Sequence, residues 1–112
     1  MTVSNVARGA YYKARTRRWL EKQGYQVGDL EVVRWVGGPA KRFPVKRDQF
    51  GSDLLAVSGD RLVFCQCKGG KSATGNFPDA KRLFDSFTFP PGTAKWVVAW
   101  TPRAREPRVV VM

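Results

Sequence analysis

Residues 53 to 68 read DLLAVSGDRLVFCQCK, and they decide the fold. Residues 54 to 57 and 62 to 67 are short apolar runs, and Ser58-Gly59-Asp60-Arg61 between them holds the Gly and Asp that tight connections use. A β-hairpin is predicted. With Gly59 and Asp60 as a two-residue loop, Val57 pairs with Leu62, and continuing the ladder places Asp53 opposite Gln66. Side chains alternate along a strand, so Asp53, Leu55 and Val57 share a face with Leu62, Phe64, Gln66 and Lys68. A three-residue loop slips the register by one and brings Cys65 opposite Asp53 instead.

Directly opposed residues have Cβ atoms roughly 4.5–5.5 Å apart. The two-residue register therefore gathers a carboxylate, an amide oxygen and an ammonium at the open end of the hairpin. An ordinary core avoids burying such charges, whereas oxygens holding a hard divalent cation beside a lysine suit phosphoryl transfer. The plainer alternative is that Asp53 is a solvated turn residue and Lys68 a surface lysine with its stem laid along the sheet.

Gly51-Ser52-Asp53, an apolar strand, a short turn and a second apolar strand ending in Gln66-Cys67-Lys68 resemble the core of the PD-(D/E)XK nuclease superfamily. Within it, the order of helix, GSD-like turn and hairpin is most similar to archaeal-type Holliday junction resolvases and related phage nucleases. The resemblance implies that Asp53 and Gln66 bind Mg²⁺, with Mn²⁺ as a substitute, and that Lys68 assists the attacking water. It also implies a homodimer acting on four-way junctions or other branched DNA. Gln66 stands where relatives more often carry Glu or Asp, so it brings an oxygen without a charge.

The resolvase-like pattern places a basic residue and Gly on the first helix, with a metal-binding Glu four residues after the Gly. Arg8-Gly9 matches, but that Glu is replaced by Lys13. Glu21 lies about 12 Å further along the helix and is no substitute. Asp48 and Glu31 are the remaining acids that could complete the site, and either also reads as a solvated acid.

Composition limits the function classes. The 112 residues make one domain, large enough to bury somewhat over about 60% of the unfolded surface. Twenty Lys and Arg against nine Asp and Glu give a net charge of +11, which points to a polyanionic partner. No run approaches the length of a membrane span, no lipidation motif or signal-peptide core is present, and no membrane association is expected. A cytoplasmic location is expected, in the host if the chain is phage-encoded. With no His and only Cys65 and Cys67, the thiols cannot build a zinc site and are too close for an ordinary disulfide.

Along the chain, residues 4 to 23 read as a helix with Ser4 or Asn5 as N-cap and Gly24 just past its end. Its apolar stripe is predicted as Val6, Ala10, Ala14 and Leu20, with Arg15 and Arg18 turned away. Lys13 and Arg17 fall within the stripe, as though it bordered a phosphate. Residues 30 to 36 read as the first strand of the sheet. Residues 37 to 51, GGPAKRFPVKRDQFG, are predicted as a loop that brings Lys41, Arg42, Lys46, Arg47 and Phe50 to DNA, unless its phenylalanines tuck onto the core.

Gly69-Gly70-Lys71-Ser72 lacks the first glycine of a phosphate-binding loop, because position 65 is Cys. The Gly pair is instead expected to let the chain pass close to a DNA backbone, with Lys71 at hand. Residues 77 to 87 form a second helix with Ala80, Leu83, Phe84 and Phe87 on one face. The continuous apolar run at 95 to 101 is a central strand, and a last strand follows at 108 to 112. Arg103 and Arg105 between them are either phosphate contacts or a solvated turn. Together these give an α/β domain with a mixed central sheet flanked by helices, in agreement with the restriction-endonuclease-like fold that the resemblance implies. Two functions stand: a metal-dependent, structure-selective endodeoxyribonuclease, or a non-catalytic DNA-binding module with a degenerate nuclease fold.

Overall fold

The first helix ends because Gly24 adopts φ +96°, and the amides of Gly24 and Tyr25 then fold back onto the carbonyls of Glu21 and Leu20 in a Schellman closure. In the computed structural model, which describes residues 5–47, 49–71 and 73–112, this helix is α1 (Asn5–Lys22). Ser4 and Asp48 lie outside the described residues. The remaining elements are β1 (Gln26–Asp29), β2 (Val32–Val36), β3 (Phe43–Arg47), β4 (Leu54–Val57), β5 (Leu62–Gly69), a 3₁₀ turn at Ala73–Asn76, α2 (Phe77–Asp85), β6 (Ala94–Trp100) and β7 (Arg108–Val111).

Five strands form one mixed sheet in the order β1-β4-β5-β6-β7, in which only β5 and β6 run parallel, joined by the crossover through α2. The helices cover opposite faces. Leu54, Ala56, Val63 and Cys65 bury against Leu20 of α1, while Val97 buries against Ala80 and Phe84 of α2, with Phe64 alongside. The α/β architecture and the mixed sheet flanked by helices are as predicted.

The hairpin is as predicted too. Val57 pairs with Leu62 and Leu54 with Cys65, and Ser58 N–H donates to Arg61 C=O across the two-residue loop. Strand β6 lies inside the sheet between β5 and β7, and its Val97, Val98, Ala99 and Trp100 are all buried, as expected of an interior strand.

Three expectations are corrected. The first strand of the main sheet is β1, pairing Asp29 with Leu54. Residues 32 to 36 leave the sheet and pair with residues 43 to 47 of the expected loop, so the basic segment is half of a separate two-stranded ribbon. Pro44 is tolerated there because the ribbon's strands are both edges. The ribbon's turn needs glycine at position 37, where φ is +116° and a Cβ would lie 2.1 Å from the Lys41 carbonyl oxygen.

The buried stripe of α1 also differs. Ala10 and Ala14 are exposed, and Thr16 is fully buried because its hydroxyl donates to Tyr12 C=O and accepts from Trp100 Nε1–H. Arg15, expected to face solvent, lies over the Trp100 ring at 4.3 Å and donates to Ala104 C=O. Gly69 also packs against α1, since a Cβ there would lie 2.0 Å from Tyr12 Cδ2. Helix α2 ends at Asp85, two residues short of the predicted end; on it Ala80 and Phe84 are buried and Leu83 is over one-third exposed, as is Phe87 just beyond it.

Candidate active site

A tight turn delivers Asp53 to the end of the hairpin. Phe50 and Gly51 both have positive φ, +55° and +71°, and Ser52 N–H closes back onto Gln49 C=O at 3.0 Å. That conformation suits Gly51 and strains Phe50. The Phe50 ring is held edge-on to Phe64 and Phe87 at 6.0 and 5.8 Å between centroids, yet stays 49% exposed. The ring thus tucks partly onto the core, as the plainer sequence alternative had it, and one side remains in solvent.

At Asp53 the ladder departs from the simple register. Its N–H donates to Cys65 C=O at 2.9 Å, although Cys65 is already the partner of Leu54. Two residues of one strand thus oppose one residue of the other, as in a β-bulge. The carboxylate does not stand opposite Gln66. It reaches along β5 and accepts the Cys67 N–H on Oδ2 at 2.8 Å, taking the place of the next carbonyl of the ladder. Asp53 C=O in turn accepts from Leu30 N–H at 2.9 Å, which ties the site to the end of β1.

Cys67 is flanked by the other two candidates. Gln66, only 5% exposed, alternates to the same face as Phe64, and its Oε1 has no hydrogen-bond partner among the described residues. An unmet buried acceptor carries a desolvation penalty of about 1–3 kcal/mol, so it calls for an explanation. Lys68 is partly buried two residues on. Cys65 and Cys67 face α1. Burial, with the Asp53 charge added, pushes the Cys65 thiol up to about 12 and Cys67 well above its usual range, so both are inert protonated thiols.

Lys13 lies on the α1 side and is ion-paired. Its Nζ is 2.7 Å from Asp29 Oδ2 and in direct contact with Glu31 Oε1. Burial disfavours its charge, but the bonds to Asp29 and Glu31 outweigh burial and raise its pKa. Asp29, opposed by burial, is lowered by Lys13, by the Glu31 N–H and by Arg17. A lysine so engaged neutralises acids at the edge of the site. Glu31, considered as a metal ligand, holds that lysine. The sequence reading missed Asp29, at the end of β1; the signal was an Asp placed where the chain leaves a strand, and its carboxylate accepts the Glu31 N–H at 2.8 Å as an Asx turn does.

Lys41 and Arg42 are exposed in the ribbon's turn, and Lys46 and Arg47 occupy β3. Lys71 is exposed just beyond β5, and Arg17 is partly buried on α1. No group of three or more His, Cys, Asp or Glu among the described residues is placed to hold a metal. The donors that remain are the Asp53 carboxylate and the unmet Gln66 Oε1. They fit Mg²⁺, which is commonly held by one or two protein oxygens and completed by substrate phosphates, and they do not make a closed metal cage.

No protein-family model matches the chain, and no curated protein matches it in sequence. Among solved structures, Hjc, a Holliday junction resolvase from Archaeoglobus fulgidus, is similar in fold, with a TM-score of 0.58 and 18% identity over 92% of this chain and 71% of that one. The chain therefore shares that structure's fold, the restriction-endonuclease-like α/β arrangement of a mixed sheet flanked by helices. No described helix is long and apolar enough to cross a membrane.

Proposed function

We propose that this chain is a metal-dependent, structure-selective endodeoxyribonuclease that acts as a Holliday junction resolvase. The observation that carries this reading is the Asp53 carboxylate, fixed on the Cys67 N–H at the end of the hairpin, with Gln66 and Lys68 flanking Cys67 on the same strand. The net charge of +11 and the fold shared with an archaeal resolvase support it.

Asp53 and Gln66 would hold Mg²⁺ or Mn²⁺, which when bound polarises the phosphodiester and lowers the pKa of a water. The Cys67 amide keeps the Asp53 carboxylate in one orientation, and the bulge sets its reach. Lys68 orients the nucleophile and opposes the negative charge that develops on the phosphoryl oxygens. Lys41, Arg42, Lys46, Arg47 and Lys71 hold backbone phosphates. A homodimer would suit paired cuts across a junction. Exposed apolar side chains that could serve it include Leu83 of α2, with Phe87 just beyond that helix and Phe50 against Phe87.

The site is tested through Gln66→Glu. A second carboxylate beside Asp53 should lower the Mg²⁺ concentration that half-saturates cleavage of a labelled four-way junction. An unchanged or higher requirement would exclude Gln66 as a ligand.

A specific observation favours a second reading, a non-catalytic DNA-binding module. Lys13, rather than an acid, occupies the helix position and engages Asp29 and Glu31, so neither of those two acids is left to join Asp53. Binding of a junction without cleavage at any Mg²⁺ or Mn²⁺ concentration is the result that selects it.

A further inference from the structure

The β2–β3 ribbon has a composition unlike the rest of the molecule. Residues 32 to 47 hold Arg34, Lys41, Arg42, Lys46 and Arg47 and no Asp or Glu. The ribbon pairs with itself and not with the five-stranded sheet. On it stands Trp35, 58% exposed, paired in register with Pro44. Trp35 and Arg42 line a cavity of about 280 Å³. An indole left in water on a two-stranded ribbon adds nothing to a core, and the absence of acids makes the surface repel cations and attract a polyanion.

Resting on the DNA-binding reading given above, we infer that Trp35 is a stacking platform for an unpaired base of a DNA branch, with Arg42 at the adjoining phosphate. Every base presents a π-face, so an exposed indole beside a guanidinium binds unpaired bases with little sequence preference. Fully paired duplex offers no free face, and the ribbon holds it through charge alone. The pairing of residues 32–36 with 43–47 keeps Trp35 on the same element as the basic cluster, so one ribbon both holds the backbone and senses unpairing.

The test compares wild type with Trp35→Ala and Trp35→Phe in EDTA, so that cleavage is not required. Affinities are measured for three probes of equal length: a single strand, a branched flap with 2-aminopurine in the unpaired arm, and a blunt duplex. Trp35→Ala should lose about 10- to 100-fold on the single strand and the flap, which at 1.4 kcal/mol per tenfold lies within the usual range for base–aromatic stacking. It should change duplex affinity less than about twofold. Trp35→Phe should retain most of the binding, and quenching of 2-aminopurine on binding should disappear only in Trp35→Ala. An equal loss on all three probes, or no loss on any, overturns the inference while leaving the nuclease reading in place. A wild-type protein that binds none of the probes overturns both.

Discussion

The Cys67 N–H donates to Asp53 Oδ2 at 2.8 Å, so a backbone amide of β5 orients the Asp53 carboxylate at the hairpin end. This bond closes the β4–β5 ladder where the strand itself turns away, which makes Asp53 a structural residue as well as a candidate ligand. Asp53→Ala should leave the Cys67 amide unmet and destabilise the fold by about 1–3 kcal/mol. Asp53→Asn keeps an acceptor oxygen and should melt within a few degrees of wild type. Thermal denaturation of both variants checks the difference. Equal stabilities would show that the amide is satisfied without Asp53.

Gly69 and Tyr12 fix the approach of α1 to β5. A methyl group at position 69 meets the Tyr12 ring at 2.0 Å, with the ring wedged between helix and strand. Gly69→Ala should cost about 1–3 kcal/mol through overpacking. Adding Tyr12→Ala should make room, so the double variant loses less than the two single losses added together. Strict additivity in denaturant unfolding would mean that the glycine has another role.

The Lys13–Asp29 pair gives a pH dependence with a definite sign at each end. Asp29 has a folded pKa below its ordinary 3.8, so its contribution is present above that value and is lost as pH falls through the depressed pKa. Lys13 has a folded pKa above its ordinary 10.5, so its contribution is present below that value and is lost as pH rises through the raised pKa. Asp29 is nearly half exposed, and solvent keeps the effect small. Between those two ordinary values the pair should leave stability flat. Lys13→Met should remove the extra losses at both extremes, as followed by chemical denaturation across pH.

Much of the fold was legible in the sequence, and the failures have physical causes. Turn chemistry at Ser58-Gly59-Asp60-Arg61 was enough to set the hairpin and its register as far as Leu54. The bulge at Asp53 was not, because it depends on the turn at Phe50-Gly51 and on the amide of Cys67, fourteen residues away. The ribbon was missed because its Gly37, Gly38 and Pro44 read as loop punctuation, whereas an edge strand accepts a proline. The stripe of α1 was misplaced because a periodicity count ranks Ala above Thr and Arg. Thr16 is buried by two hydrogen bonds and Arg15 is drawn in by the face of Trp100, interactions that arise only in the tertiary fold. Asp53, Gln66 and Lys68 were named from the sequence. The engagement of Lys13 by Asp29 and Glu31 came only with the structure.

If the ribbon holds a phosphate backbone, exchanging Lys41, Arg42, Lys46 and Arg47 for Ala should weaken junction binding. It should also flatten the slope of log K against log salt by roughly 0.9 for each phosphate no longer neutralised. Titration at several salt concentrations measures this, and an unchanged slope would remove the ribbon from the DNA surface.

Asp53 as the anchor of a metal-dependent cutting site is tested most directly by incubating a labelled four-way junction with wild type and with Asp53→Asn. Mg²⁺ and Mn²⁺ are each varied over a range of concentrations, and binding is followed in parallel. Wild type should yield nicked duplexes only when metal is added, and Asp53→Asn should bind the junction fully without cutting it. Cleavage that survives in Asp53→Asn, or a wild type that binds and never cuts, would contradict that role.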